Sequence, residues 1–224
     1  MDSALIDFLK KDYPAHFGLN WNDSTMEIRK EERPKGRFEI RDGQPQIVQY
    51  TGHGVSVINN NSDMAVEIVD FEHYINIFRN TAAGMGQKCD FIINPIAGYD
   101  FIIFNELTES EKQYVMPFTS PATGEVKGGK LAYAKKQLEI SIEKFYSVNN
   151  FLDTYKNKVA LFSCRLTDGK PGRNMTRSVS AFRKPLKIFS NIRAHEPLAH
   201  SFVFEQRIYD KEYKLIGRAT GDRP

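Results

Sequence analysis

Two short apolar runs near the middle of the chain constrain its fold more than any other feature. Phe91, Ile92 and Ile93 form the first; Phe101, Ile102, Ile103 and Phe104 form the second. The segment 94–100 between them carries Pro95 and Gly98. Runs this short, rich in Ile and Phe and bounded by breakers, read as buried strands. Their separation suits an antiparallel hairpin with a longer loop. Reflection about the loop centre, near residue 97, sets position 90 opposite positions 104 to 106. In a register whose paired numbers sum to an even value, Asp90 and Glu106 also share a face. Two carboxylates that close at the edge of an apolar sheet repel each other, and a bound divalent cation relieves the repulsion. Hard oxygen ligands suit Mg²⁺, or Mn²⁺ in its place. A cation held this way polarises a phosphodiester and activates a water. The plainer alternative is a pair of solvated acids flanking two buried strands.

The remaining pattern places these strands in an α/β (α+β) domain. The first dozen residues form an amphipathic helix with Leu5, Ile6, Phe8 and Leu9 apolar. Strands are expected over 37–40, 46–50, 55–58 and 64–71, the last two paired as a hairpin across the turn 59–63. A short helix over 71–79 follows. After a Pro/Gly-rich loop, 109–129, a long helix runs from 130 to about 155. Leu131, Ala134, Leu138, Ile142, Phe145 and Leu152 make one buried stripe on it, interrupted by Asn149. A strand over 159–164, a basic loop over 165–185 and a last strand over 202–209 complete the order. We therefore expect a single domain, 1–224, with a mixed central sheet and flanking helices. At 224 residues the chain can bury a substantial core, and 41% apolar and 12% aromatic residues argue against disorder.

A net charge of +3 is too mild to announce a nucleic-acid partner by itself. No apolar run approaches the ~20 residues of a membrane span. The N-terminal stretch lacks a basic leader and is interrupted by Asp7, so it does not read as a secretory signal. Two cysteines, Cys89 and Cys164, build neither a disulfide framework nor a zinc site within one chain. Reduced core cysteines and a cytoplasmic setting are the expectation.

Asp90 followed by Phe91-Ile92-Ile93, then Ile103-Phe104-Asn105-Glu106-Leu107-Thr108, then a helix carrying Ala134-Lys135-Lys136-Gln137-Leu138, resembles the PD-(D/E)xK nuclease superfamily, which includes many restriction endonucleases. In that family an Asp opens one core strand, an E-x-K motif lies on the next, and a helix then packs on the sheet. The resemblance covers roughly residues 55–165 and implies a restriction-endonuclease-like core, with a basic C-terminal region over 165–224. It implies Asp90 and Glu106 as metal ligands, the Leu107 carbonyl as a third ligand, and Mg²⁺ or Mn²⁺ as cofactor. Thr108 stands where the family usually has Lys, the residue that positions the attacking water and neutralises charge. Some members take that Lys from the following helix, where Lys130 and Lys135 flank the apolar stripe; Lys135 is the preferred candidate. A further acid often comes from upstream, and Glu67, Asp70 and Glu72 are open alternatives. The implied activity is hydrolysis of DNA phosphodiesters, and the resemblance leaves a homodimer open, since cutting both strands needs two sites.

Eight Lys and Arg residues over 165–193, interrupted by one acid, Asp168, suit a phosphate-backbone partner. Arg173, Arg177, Arg183 and Lys184 are the candidate contacts. The alternative is an ordinary solvated loop. Other signals carry less. Residues 124–130 match G-x-x-x-x-G-K, but Leu131 occupies the Ser/Thr position that would hold Mg²⁺. His195 and His200 are spaced by five with Pro197 between them, which is not a zinc motif. Three readings remain: a metal-dependent nuclease; a catalytically silent nuclease-fold protein that binds nucleic acid or protein, which Thr108 favours; and a globular protein unrelated to nucleic acid, which predicts no salt-dependent DNA binding.

Overall fold

In a computed structural model the chain forms a mixed α+β fold; the structure describes residues 2–41, 46–52, 54–84, 86, 88–167, 195–208 and 212–215. Helix α1 spans Ala4–Lys10 and α2 spans Asp12–His16. Strands β1 (Lys30–Arg33), β2 (Gly36–Ile40), β3 (Ile47–Gln49), β4 (Ser56–Asn60) and β5 (Val66–Asp70) lead to α3 (Phe71–Ile77). The two central runs are β6 (Phe91–Pro95) and β7 (Phe101–Glu111). A small hairpin, β8 (Phe118–Thr119) and β9 (Val126–Lys127), precedes α4 (Gly129–Val148). Then come β10 (Asn157–Thr167), β11 (Glu196–Pro197), β12 (Val203–Ile208) and β13 (Tyr213–Leu215).

A seven-stranded sheet runs β1-β5-β6-β7-β10-β12-β11, and a four-stranded sheet runs β13-β4-β2-β3. In the larger sheet each of β1, β5, β6 and β7 is antiparallel to its neighbour in that series, whereas β7, β10 and β12 are parallel. Period-two alternation divides its residues between two cores. Ile92, Ile102, Phe104, Ala160 and Phe162 face α1, α3 and α4. Ile93, Ile103, Val159 and Leu161 face Phe38, Ile40 and Ile58 of the smaller sheet. Three layers result: helices, a large sheet, a small sheet.

Phe145 of α4 shows how the helical layer is locked. Its ring lies 5.1 Å from Phe8, 5.1 Å from Phe104 and 5.4 Å from Phe71. Between the two sheets sits a buried polar trio: Asn105 Nδ2 donates to Ser56 Oγ at 3.0 Å, and Ser163 Oγ lies 2.9 Å from Ser56 Oγ and 3.1 Å from Asn105 Oδ1. Both cysteines are buried free thiols, and burial pushes each thiol up, that of Cys164 to about 12.

The expected hairpin of strands over 55–58 and 64–71 does not form, because β4 and β5 belong to different sheets. Asn60 explains the departure. Its side chain donates to the carbonyls of Pro34 and Met64 and accepts from the Ser62 amide, and it steers the chain out of one sheet and into the other. The long helix stops at Val148 instead of continuing to 155. Asn149 is extended, and its Oδ1 accepts from the Phe151 amide to start a short 3₁₀ turn that still buries Leu152. The G-x-x-x-x-G-K segment has a packing role. Gly129 holds a φ of +74°, and a Cβ there would meet the Met116 carbonyl oxygen at 2.3 Å.

Candidate metal centre

The register of β6 with β7 pairs Phe91 with Asn105 and Ile92 with Phe104. One step outward, that register sets Asp90 opposite Glu106. The two residues are also tied crosswise. Asp90 Oδ2 accepts from the Leu107 amide at 2.7 Å, and the Asp90 amide donates to the Glu106 carboxylate. Glu106 is 5% exposed, and its Oε2 is buried with no hydrogen-bond partner. Burial, then the charges of Asp90 and Glu72, push its carboxyl up to about 9.

Asp90, though not Glu106, lines a cavity of about 200 Å³. Asp70, Glu72, Asp90 and Glu109 form its acidic wall, with Leu107 and Thr108 between them. Asp70 caps α3 by accepting from the His73 amide at 2.8 Å, and Glu72 stands in the first turn of that helix. Burial raises the Asp70 carboxyl, against the His73 amide and the Gln46 side chain. The smaller sheet supplies the facing wall through Arg41, Gln46 and Val55.

The three upstream acids are placed differently. Glu67 is buried elsewhere, accepting from Ser3 Oγ at 2.6 Å and from Lys30 Nζ at 2.7 Å, which ties the start of α1 to the sheet. Asp70 and Glu72 line the cavity. Lys135 is placed away from the carboxylates. Its Nζ bonds Glu196 Oε1 at 2.6 Å, and it lines a second, largely apolar cavity with Leu131 and Phe204. Ala134 and Leu138 take the sheet-facing side of α4, so the adjacent position turns toward β11. Lys130 is exposed in the first turn of α4. The candidate contacts Arg173, Arg177, Arg183 and Lys184 lie outside the described residues.

Two site residues escaped the sequence reading. Lys88 places its Nζ 3.4 Å from Glu72 Oε1, with its side chain only 12% exposed. Gln137 donates to the Lys88 carbonyl at 2.9 Å, and its side chain also bonds Glu106. The lysine two residues before Asp90 and the glutamine within the Ala-Lys-Lys-Gln-Leu stretch were the available signals.

Comparison with protein-family models, curated proteins and solved structures found no match. Chemistry alone therefore bears on the site. No cluster of three or more His, Cys, Asp and Glu side chains able to hold a metal ion occurs among the described residues. The donor set is a pair of carboxylates, Asp90 and Glu106. Mg²⁺ fits such a set, because it binds through one or two carboxylates and retains several waters. The orphaned Glu106 Oε2 is the atom that a cation would satisfy. Among the described residues no helix is long and apolar enough to cross a membrane.

Glu39 supports the facing wall. It is fully buried, and it accepts from the Thr51 amide at 3.0 Å, from Thr51 Oγ1 at 2.9 Å and from the Gly52 amide. Burial pushes its carboxyl up, but these bonds and Arg41 together outweigh burial and hold it below the ordinary value. A depressed carboxyl contributes stability above the unfolded-state pKa that is lost as pH falls through the folded one. Glu39→Gln should therefore cost about 1–2 kcal/mol at pH 7 and much less at pH 4, read by urea unfolding. An equal cost at both values would show that the charge contributes nothing.

Proposed function

We propose that the chain is a metal-dependent nuclease that hydrolyses DNA phosphodiesters, with a core of the PD-(D/E)xK kind. The observation that carries this reading is the buried, unpartnered Glu106 Oε2 directly opposite Asp90, which itself lines an acidic cavity. The order of elements agrees with it: Asp90 immediately precedes β6, Glu106 lies on β7, and α4 follows and packs on the sheet. Asp90 and Glu106 would hold Mg²⁺ or Mn²⁺, with the Leu107 carbonyl as a third donor. Such a cation, when bound, polarises the phosphodiester and lowers the pKa of an attacking water. Asp90 is held in place by the Leu107 amide and Glu106 by Gln137 and the Asp90 amide. Thr108 contributes a hydroxyl to the cavity and no charge. Lys88, paired with Glu72, brings an ammonium close to the acids of this cavity.

A second reading is favoured by Thr108: a catalytically silent member of the same fold class that binds nucleic acid or protein. One experiment separates the two. Plasmid and linear DNA are incubated with Mg²⁺ or Mn²⁺ and with wild type, Asp90→Ala or Glu106→Ala, and cation binding is measured calorimetrically on the same samples. The nuclease reading expects cleavage by wild type and a loss of about 10³-fold or more in both folded variants. Absent cleavage together with retained DNA binding would transfer the conclusion to the silent binder. DNA cleavage as a dimer would appear as a second-order dependence of the rate on protein concentration.

A further inference from the structure

We propose that the cavity between α4, β12 and the segment leading into β8 is a second binding site, for a small uncharged molecule that is apolar over most of its surface and carries one hydrogen-bond donor. The site is separate from the acids and does not depend on the metal reading.

The described residues leave a cavity of about 470 Å³ here, more than twice the volume of the acid-lined one. Ligand cavities commonly hold about 300–1,000 Å³ and combine apolar walls with a few polar groups. Leu131 and Ala132 of α4, Phe204 of β12, and Met116 and Pro117 ahead of β8 make the walls. These walls are fixed to one another. The Leu131 amide donates to the Val115 carbonyl at 3.0 Å, and Gly129 packs directly on the Met116 carbonyl.

Gln206 is the residue that packing alone does not explain. Phe204, Gln206 and Ile208 lie on one face of β12, and the other two belong to the apolar core under the helices. Gln206 lines the cavity, and its Oε1 is buried with no hydrogen-bond partner. A leucine there would avoid the cost of an unpaired oxygen. The terminal torsion of a glutamine is broad, so the amide can turn that oxygen from its enclosed position toward the cavity. A donor on the occupant then satisfies it.

Charge at the rim selects against ions. Lys135 Nζ lies 2.6 Å from Glu196 Oε1 and 4.0 Å from Glu139 Oε1. Two carboxylates around one ammonium leave a negative surplus that disfavours an anion, and the apolar walls disfavour any charge. The sheet register keeps this site apart from the acids. Phe162 of β10 pairs with Gln206 on one side and with Glu106 on the other. Gln206 and Glu106 therefore stand two strand spacings apart, about 10 Å, across the buried Phe162.

The test titrates indole and 1-methylindole into the full chain, followed by ligand-observed NMR. The methylated compound has more apolar surface and no N–H, so a preference for indole reports the hydrogen bond. Wild type should bind indole with a Kd of about 1 mM or tighter and 1-methylindole about 3- to 10-fold more weakly. Gln206→Leu should bind both alike. Ala132→Trp fills the cavity from an exposed helix position and should bind neither. Thermal unfolding checks that both variants fold. Asp90→Ala should bind indole within about 2-fold of wild type, as a separate site requires. Absence of saturable indole binding by wild type, equal affinity for the two compounds, or unchanged binding in Ala132→Trp overturns the proposal.

Discussion

Glu106→Gln is expected to make the metal-free protein more stable while abolishing cleavage. The two effects share one cause. The carboxyl is pushed up to about 9 by burial and by Asp90 and Glu72. The folded state therefore holds a proton that the unfolded chain releases above the ordinary glutamate value. With more protons bound in the folded state, stability falls as pH rises between about 4.5 and 9. A neutral amide of the same shape removes that penalty, worth on the order of 2–3 kcal/mol near neutrality. Cation binding would relieve the same penalty in wild type, so Mg²⁺ should raise the wild-type midpoint and leave that of Glu106→Gln unmoved. Thermal unfolding across pH 5–9, with and without Mg²⁺, reads both. A variant less stable than wild type at pH 8 would mean that the acid is satisfied within the protein, and the metal site would lose its main support. The trade is of the kind that separates functional from structural acids: a residue kept for folding does not become more stable when neutralised.

Phe145→Ala is expected to have the largest effect on the fold itself. The ring joins α4 to the sheet through Phe104, to α3 through Phe71 and to α1 through Phe8. It is fully buried, so truncation removes its transfer energy and leaves a cavity that the neighbouring rings cannot collapse into. A loss of about 3–5 kcal/mol follows, a large part of the 5–15 kcal/mol typical of a domain. Phe145→Leu should lose less than half as much. Chemical denaturation measures both. A cost under about 1 kcal/mol for the alanine variant would show that α4 is not held by this contact.

How far the sequence disclosed this arrangement can be judged residue by residue. The pairing of Asp90 with Glu106 was legible because a hairpin with a known centre leaves few registers. The stripe on α4 was legible because Leu131, Ala134, Leu138, Ile142 and Phe145 recur at helical spacing. The separation of β4 from β5 was hidden, since a run of asparagines reads as a tight turn and only Asn60's bonds to Pro34 and Met64 show a crossing. β1 was hidden too: Lys-Glu-Glu-Arg carries no apolar signal, and it is a strand because β5 offers it an edge. Lys88 was missed for a related reason. Its relation to Glu72 depends on how α3 leaves the sheet, which no spacing encodes. Arg41 belongs to the cavity only because two sheets pack together, and a one-dimensional pattern does not state which sheet faces which.

The buried thiols give the molecule a means of reporting on itself. Cys89 precedes Asp90, its amide donates to Ser141 Oγ on α4, and it shares its surroundings with Glu106. Cys164 lies on the long parallel strand β10, opposite Thr108. Neither forms a reactive thiolate while enclosed, so alkylating reagents meet them only when the structure breathes. One thiol therefore samples excursions in which α4 lifts from the acids, and the other samples rupture of the central sheet. A difference between their labelling rates would measure how independently the acid-bearing end of the protein opens from the body that carries it.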